Sequence, residues 1–268
     1  MAAGARAMRD YLRVLLRFLK ANLMAALEYR ADFVANAVVA VASALWTLAA
    51  LQVFFMHRPR LGGWRYEEAL IVASLFIAFE GVMAALFRPN LEDIPEAIRQ
   101  GTLDFVLLRP LDSQFLVSFQ RLQFWHLTDI LLGFGVVAWA LLRLGWPPPG
   151  RLLLFGAMLL SGLVIFYSLL MILITMAFWF VEVGNIMELI YTFFEAGRFP
   201  VTAFPSWIRI VLTFIVPIAF ITTVPAQAVL GGLRPAGAAA GALIAAFLFF
   251  LSRAFWRYAL RHYTSAGG

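Results

Sequence analysis

The stretch RPNLEDIPEAIRQGTLDFVLLRPL, residues 88–111, is the longest charged interruption in a chain that otherwise reads as lipid-soluble. Glu92, Asp93, Glu96 and Asp104 alternate in it with Arg88, Arg99 and Arg109. Asn90 is placed to cap a helix whose first turn carries Glu92 and Asp93, where carboxylates suit the positive end of the helix dipole. Pro95 is early enough in that helix to be tolerated, and Gly101 is a natural stop. The predicted helix, Leu91 to Gln100, has roughly three turns and is too short and too charged to cross a bilayer. Leu103 to Leu108 adds an apolar turn or two, ended by Pro110.

On either side of this segment the composition is that of a membrane. Of the 268 residues, 63% are hydrophobic and only 13% charged, against about 25% charged in soluble domains. With a mean hydropathy of +0.87, the fold class is all-α and polytopic, with room for about six spans of ~20–25 residues. The net charge of +6 invites a nucleic-acid reading. That reading fails because the cations flank apolar spans instead of forming a basic patch on a polar domain. Beside a span, a cation sets orientation and meets anionic lipid. There is no Cys, so disulfides and thiolate chemistry are excluded. The N-terminus does not read as a signal peptide, because the charged part from Arg6 to Lys20 is too long.

Residues 1–32 form an arm whose segment 8–30 reads as a helix lying on the membrane. Arg13, Arg17 and Lys20 make a basic stripe, and Leu12, Leu15, Leu16, Leu19 and Leu23 cover much of the rest. Span one is read at Phe33–Met56 and span two at Glu68–Phe87, with Glu80 inside it. Span three is read at Phe115–Leu142, its first half polar, with Gln120, Arg121, Gln123, His126 and Asp129. Trp146-Pro147-Pro148-Pro149-Gly150 is a rigid turn, and span four runs from Leu152 to Phe180, with Glu182 just beyond. The next region reads two ways. Either Ile208–Leu230, broken by Pro217 and Pro225, is span five, or 186–204 is the span and 205–232 a re-entrant pair of half-helices. Re-entrant backbone is allowed only where protein or a water-filled cavity covers it. Span six is read at Ala236–Phe255, followed by a basic tail; residues 33–258 form the transmembrane domain and 259–268 the terminal tail. Six spans put both termini and the 88–111 loop on one side. That side collects twelve cations against seven opposite, which places it in the cytoplasm.

No phosphate-binding P-loop, His-Glu-x-x-His motif or calcium loop is present, and the three His are scattered, so no metal site or catalytic constellation is expected. Ionisable residues inside spans are therefore the functional candidates. Glu80 is the deepest. His126 and Asp129, and likewise Glu195 and Arg198, are spaced to share a helix face and to pair, and Glu188 lies in the same late segment. A secondary transporter using Glu80, His126 or Asp129 as a proton relay is one reading. It calls for an internal repeat, and the two halves differ in loop length and polarity.

The basic interfacial helix, the charged helix between spans two and three, and the run Glu96-Ala-Ile-Arg-Gln-Gly-Thr-Leu-Asp-Phe-Val-Leu-Leu-Arg-Pro110 resemble the ABC-2 type permeases, the membrane subunits of bacterial ATP-binding-cassette exporters. Phe214-Ile-Val-Pro-Ile-Ala-Phe220, followed by Pro225 and Leu230-Gly-Gly, is similar to a late segment of that family, with Val216 where many members carry Asn. The resemblance implies that the 91–100 helix is a coupling helix docking an ATPase through Glu92, Asp93, Glu96, Arg99 and Gln100. It implies that 205–232 is re-entrant, and that a second permease chain, identical or different, completes the path. ATP and Mg2+ would then sit on the partner ATPase and no cofactor in this chain, which would lie in the bacterial inner membrane.

Overall fold

The computed structural model describes residues 2–28, 30–180 and 184–264; Glu182 and residues 265–268 lie outside them. The described residues are helical almost throughout. Helix α1 (Ala2–Glu28) leads within two residues into α2 (Arg30–His57). A tight turn follows, with Gly62 and Gly63 at φ 57° and 92°, left-handed values that glycine adopts without a Cβ clash. Helix α3 (Tyr66–Val82) is buried without interruption from Ala69 to Phe79. A helix apolar on all sides belongs at the centre of a bundle, and α3 is that centre.

The exit of α3 departs from the expected loop. Met83–Phe87 forms a π-helical turn, and α4 (Arg88–Leu91) and α5 (Ile94–Arg99) continue the same run, which extends from Tyr66 to Arg99. Pro89 has no N–H to return to the Ala85 carbonyl four residues back. The Gln123 amide donates to that carbonyl instead, at 2.9 Å. Asn90 is buried and is not a helix cap. Its side-chain amide donates to the carbonyls of Leu86 and Arg121 at 2.7 Å each, and its Oδ1 accepts from the Arg121 amide at 2.7 Å. Gly101, at φ 71°, does stop the helix.

Span three begins later than the expected Phe115. After α6 (Asp104–Leu107) comes the short helix α7 (Ser113–Phe119), then an irregular stretch, and only Phe124–Leu144, containing α8 (Leu127–Leu144), is long and apolar enough to cross. Gln120, Arg121 and Gln123 break the apolar pattern, and Asn90 satisfies the backbone that the break exposes. Helices α3 and α8 touch backbone to backbone. A Cβ on Gly133 would lie 2.5 Å from the Ala78 nitrogen, and one on Gly81 2.8 Å from Asp129 Cβ, the small-residue packing typical of membrane helices.

Helix α9 (Pro149–Thr175) follows the proline turn, and α13 (Pro235–His262) packs beside it. The basic tail is thus mostly the last turns of α13, since no breaker interrupts it before His262. Neither reading of span five is one continuous helix. Helix α10 (Gly184–Phe194) ends in a 3-10 turn at Glu195–Arg198, and its Met187 joins the cluster of Leu91, Ile94 and Leu103 beneath α5. The chain then reaches the opposite end, where Trp64 Nε1 donates to Thr202 Oγ1 at 2.8 Å. From there α11 (Ser206–Ile210) extends to Ile215 and meets the run Ile218–Leu230, which contains α12 (Thr223–Leu230), at 74°. Arg209 donates to the Thr202 carbonyl at 3.2 Å, and Gly231 abuts Arg151 in the first turn of α9. Both ends of the bent pair therefore lie at the Trp64 end of the bundle. Its elbow lies deeper, where Ile218 meets Gly197 and the Phe220 carbonyl meets Gly162. Among the described residues, five helices are long and apolar enough to cross a membrane, or six counting the bent pair.

Candidate functional site

Two charged regions lie on the continuation of α3, one at its tip and one deeper. At the tip, α5 stands on Leu91, Ile94 and Leu103, all at most 2% exposed. The Glu96 carboxylate accepts from both Arg99 and Gln100, so these three proposed docking residues form one unit. Asp93 pairs with Arg121 across the irregular stretch. Glu92 borders a recess of about 510 Å3 with Arg88, Pro95, Glu188 and Tyr191. Phe105 and Leu108 stand beside the charged unit at 69% and 81% exposed. Their apolar turn is visible in the sequence, but not that it faces outward.

Farther from the tip, Glu80 lies ~21 Å along the helix from Tyr66, a distance shorter than the ~30 Å thickness of a bilayer core. Arg88 Nη2 is 3.4 Å from Glu80 Oε1, and its guanidinium sits 4.5 Å from the centre of the Tyr191 ring. Both spacing-predicted pairs form: His126 Nδ1 lies 3.0 Å from Asp129 Oδ2, and Arg198 Nη2 2.5 Å from Glu195 Oε2. Arg198 also covers the Phe76 ring at 5.2 Å. Glu80 is within electrostatic reach of Arg88, Glu195, Arg198 and Asp129. Glu80, Arg88, His126, Asp129 and Arg198 line a cavity of about 220 Å3 together with Thr47 of α2. Glu188 belongs to the recess at the tip and not to this cluster. Among the described residues, no group of three or more His, Cys, Asp or Glu is placed to hold a metal ion.

A family model described as ABC-2 family transporter protein matches residues 41–267. The chain belongs to the ABC-2 transporter family. No curated protein and no solved structure gives a match. As an ABC-2 permease the chain is a multi-pass membrane component of an ABC transporter, not itself catalytic, and the family implies work with an ABC ATPase.

The permease has a third polar centre, whose long-range half has no local sequence signal. Asp112 caps α7 by accepting from the Phe115 amide at 3.1 Å, and it receives Arg253 of α13 through two contacts of 2.8 and 2.5 Å. Arg253, then the Phe115 amide and nearby Arg257, hold the Asp112 carboxyl below the usual carboxylate range despite partial burial. Trp256 Nε1 donates to Ser113 Oγ at 3.1 Å in the same contact. Asp112 follows Pro110 and begins a helix, a pattern that does mark an N-cap; its partner 141 residues away has no local trace.

Proposed function

We propose that this chain is the permease subunit of an ABC exporter, forming the translocation path and driven by a separate ATPase that docks on the Arg88–Leu111 segment. The observation that carries this is the direct continuation of the buried hub α3 into α5. A partner pushing on α5 pushes on the centre of the bundle, and rigid elements convert such a push into rearrangement elsewhere. The docking surface in this reading is Glu96, Arg99 and Gln100 with Phe105 and Leu108, flanked by Glu92 and Asp93. ATP and Mg2+ belong to the partner.

The cation count favours a bacterial cytoplasmic membrane location with both termini and the docking segment inside. The bent pair 206–230 is then re-entrant from the outer face, and 184–204 is the fifth crossing. A second permease chain, identical or not, is proposed against the charged cluster. Its side chains are 19–46% exposed, and ionised groups facing lipid at that depth are costly.

The test is co-purification followed by transport in inside-out vesicles. The proposal expects an ATPase to co-purify with the tagged chain and ATP to support transport. Absence of any ATPase, with transport driven by a proton gradient alone, would transfer the function to a secondary transporter working through Glu80, His126 or Asp129.

A further inference from the structure

Helix α1 has three distinct faces. Tyr11, Val14, Leu15, Phe18 and Asn22 form a partly buried stripe. On it the Tyr11 hydroxyl accepts from the Asp112 amide at 3.2 Å, the Tyr11 ring meets Phe115 edge-on at 5.0 Å, and the Asn22 side chain donates to the Gln120 carbonyl at 3.1 Å. These contacts hold both ends of α7, the helix that directly follows the docking segment. A second stripe, Leu12, Leu16, Leu19, Leu23 and Leu27, is apolar and 42–60% exposed. A third, Arg13, Arg17 and Lys20, is basic and exposed, with Asp10 3.3 Å from Arg13.

We infer that α1 is a clamp through which an anionic bilayer surface orders the docking segment. The occupant of its exposed faces follows from their chemistry and place. An apolar stripe beside a basic one matches the boundary between acyl chains and anionic headgroups. The C-terminal end of α1 leads within two residues into the crossing helix α2, so it is held at that boundary. The seat of α1 on α7 combines two hydrogen bonds, one ring contact and a partly buried apolar stripe, and it leaves the other two faces of α1 open. Adhesion to an anionic surface, about five-fold in affinity per cation, keeps α1 seated and so fixes α7 and the chain leading into it. A ligand shifts such an equilibrium only by its preference for one state; here the ligand is the lipid charge, and the preferred state is the seated one. The effect on transport rests on residues 88–111 being the docking segment. The ordering itself does not.

The chain has no cysteine, so single labels can be placed at will. A spin label on Leu108→Cys reads the docking segment, and one on Leu16→Cys reads α1, in nanodiscs of zwitterionic lipid with or without an anionic lipid. The full chain is expected to show both labels less mobile when anionic lipid is present. R13E/R17E/K20E should abolish both responses. Tyr11→Phe with Asn22→Ala should keep the response at position 16 and lose it at position 108. Identical Leu108→Cys spectra in the two bilayers, or a full response at 108 in the Tyr11/Asn22 variant, would overturn the clamp. No ATPase takes part in the measurement, so its failure is separate from a failure of ATPase docking.

Discussion

The tip and the deeper cluster both pair carboxylates with basic side chains, but they differ in what surrounds them. Glu96–Arg99 and Asp93–Arg121 have side chains 44–67% exposed, and pairs in water stabilise by about 0–1 kcal/mol. Glu80–Arg88 and Asp129–His126 are 19–32% exposed and sit on helices apolar enough to cross a bilayer. There, removal of one partner strands the other where hydration is poor. The tip pairs can be exchanged for charges of a docking partner at little cost. The deep pairs lose more when a partner is removed, which ties Arg88, at the start of the 88–111 segment, to Glu80 in the hub.

The sharpest way to break this contrast is Arg88→Ala. It leaves the Glu80 carboxylate without its nearest cation, at an expected cost of about 2–3 kcal/mol, read as a fall in thermal unfolding temperature in nanodiscs. Glu80→Gln combined with Arg88→Gln removes both charges and should recover more than half of that loss, because paired sites are not additive. A double variant as unstable as the sum of the singles would mean that the two groups do not act as a pair. Asn90→Ala tests the junction between the two regions without touching a charge. Asn90 is 6% exposed, and its loss orphans the Arg121 amide and carbonyl, at about 2 kcal/mol in the same assay. Asn90→Asp should be no rescue, since a carboxylate can accept from the Arg121 amide but cannot donate to its carbonyl.

Reading helices and their stops from the sequence worked where the information is local. The apolar runs became helices, Gly101 ended α5, and the spacing of His126 with Asp129 and of Glu195 with Arg198 placed each pair in contact. It failed where the deciding partner is remote. Asn90 has the composition of a cap, but its role is set by a stretch 31 residues on. Glu80 and Arg88, eight residues apart, would point ~80° apart on an unbroken α-helix. The π-helical turn that reduces this angle arises because Gln123 is available to take the carbonyl that Pro89 cannot serve. Span three starts at Phe124 instead of Phe115 because the backbone at Gln120–Gln123 is irregular and is met by the side chains of Asn22 and Asn90. At the tip, spacing identified the charged residues but could not tell that Asp93 is taken up by Arg121, or that Phe105 and Leu108 face outward.

A smaller effect separates Asp112 from both sets of pairs. Its carboxyl titrates below its unfolded value, chiefly through Arg253. A depressed folded pKa means that the stabilisation is complete above the unfolded pKa of about 3.9 and is lost as pH falls through the lower folded value. The contact between α7 and α13 should therefore be indifferent to pH across the neutral range and weaken only on the acid side of about pH 4. Asp112→Asn should cost about 1 kcal/mol at neutral pH. It should also show a shallower loss of thermal stability on acidification than the parent chain. Parallel acid profiles for the two would remove Asp112 from the account.

The least effect on stability is expected at the tip, where the functional effect should be largest. Glu96→Arg with Arg99→Glu preserves an i, i+3 pair and disturbs only exposed groups, so unfolding should move by no more than ~0.5 kcal/mol. Gln100 loses its acceptor on Glu96, but on the surface water replaces it. The same swap reverses the charge pattern presented to a docking ATPase, and complementary surfaces reject like charge strongly. A stable permease that no longer retains the ATPase is the expected result, with Leu108→Asp giving the same phenotype by wetting the neighbouring apolar contact. If the swapped chain still binds the ATPase and supports ATP-driven transport, the contrast between tip and depth survives as a fact about stability. The docking surface must then be sought elsewhere on the same end of the bundle, first among Glu92, Glu188 and the 510 Å3 recess they border.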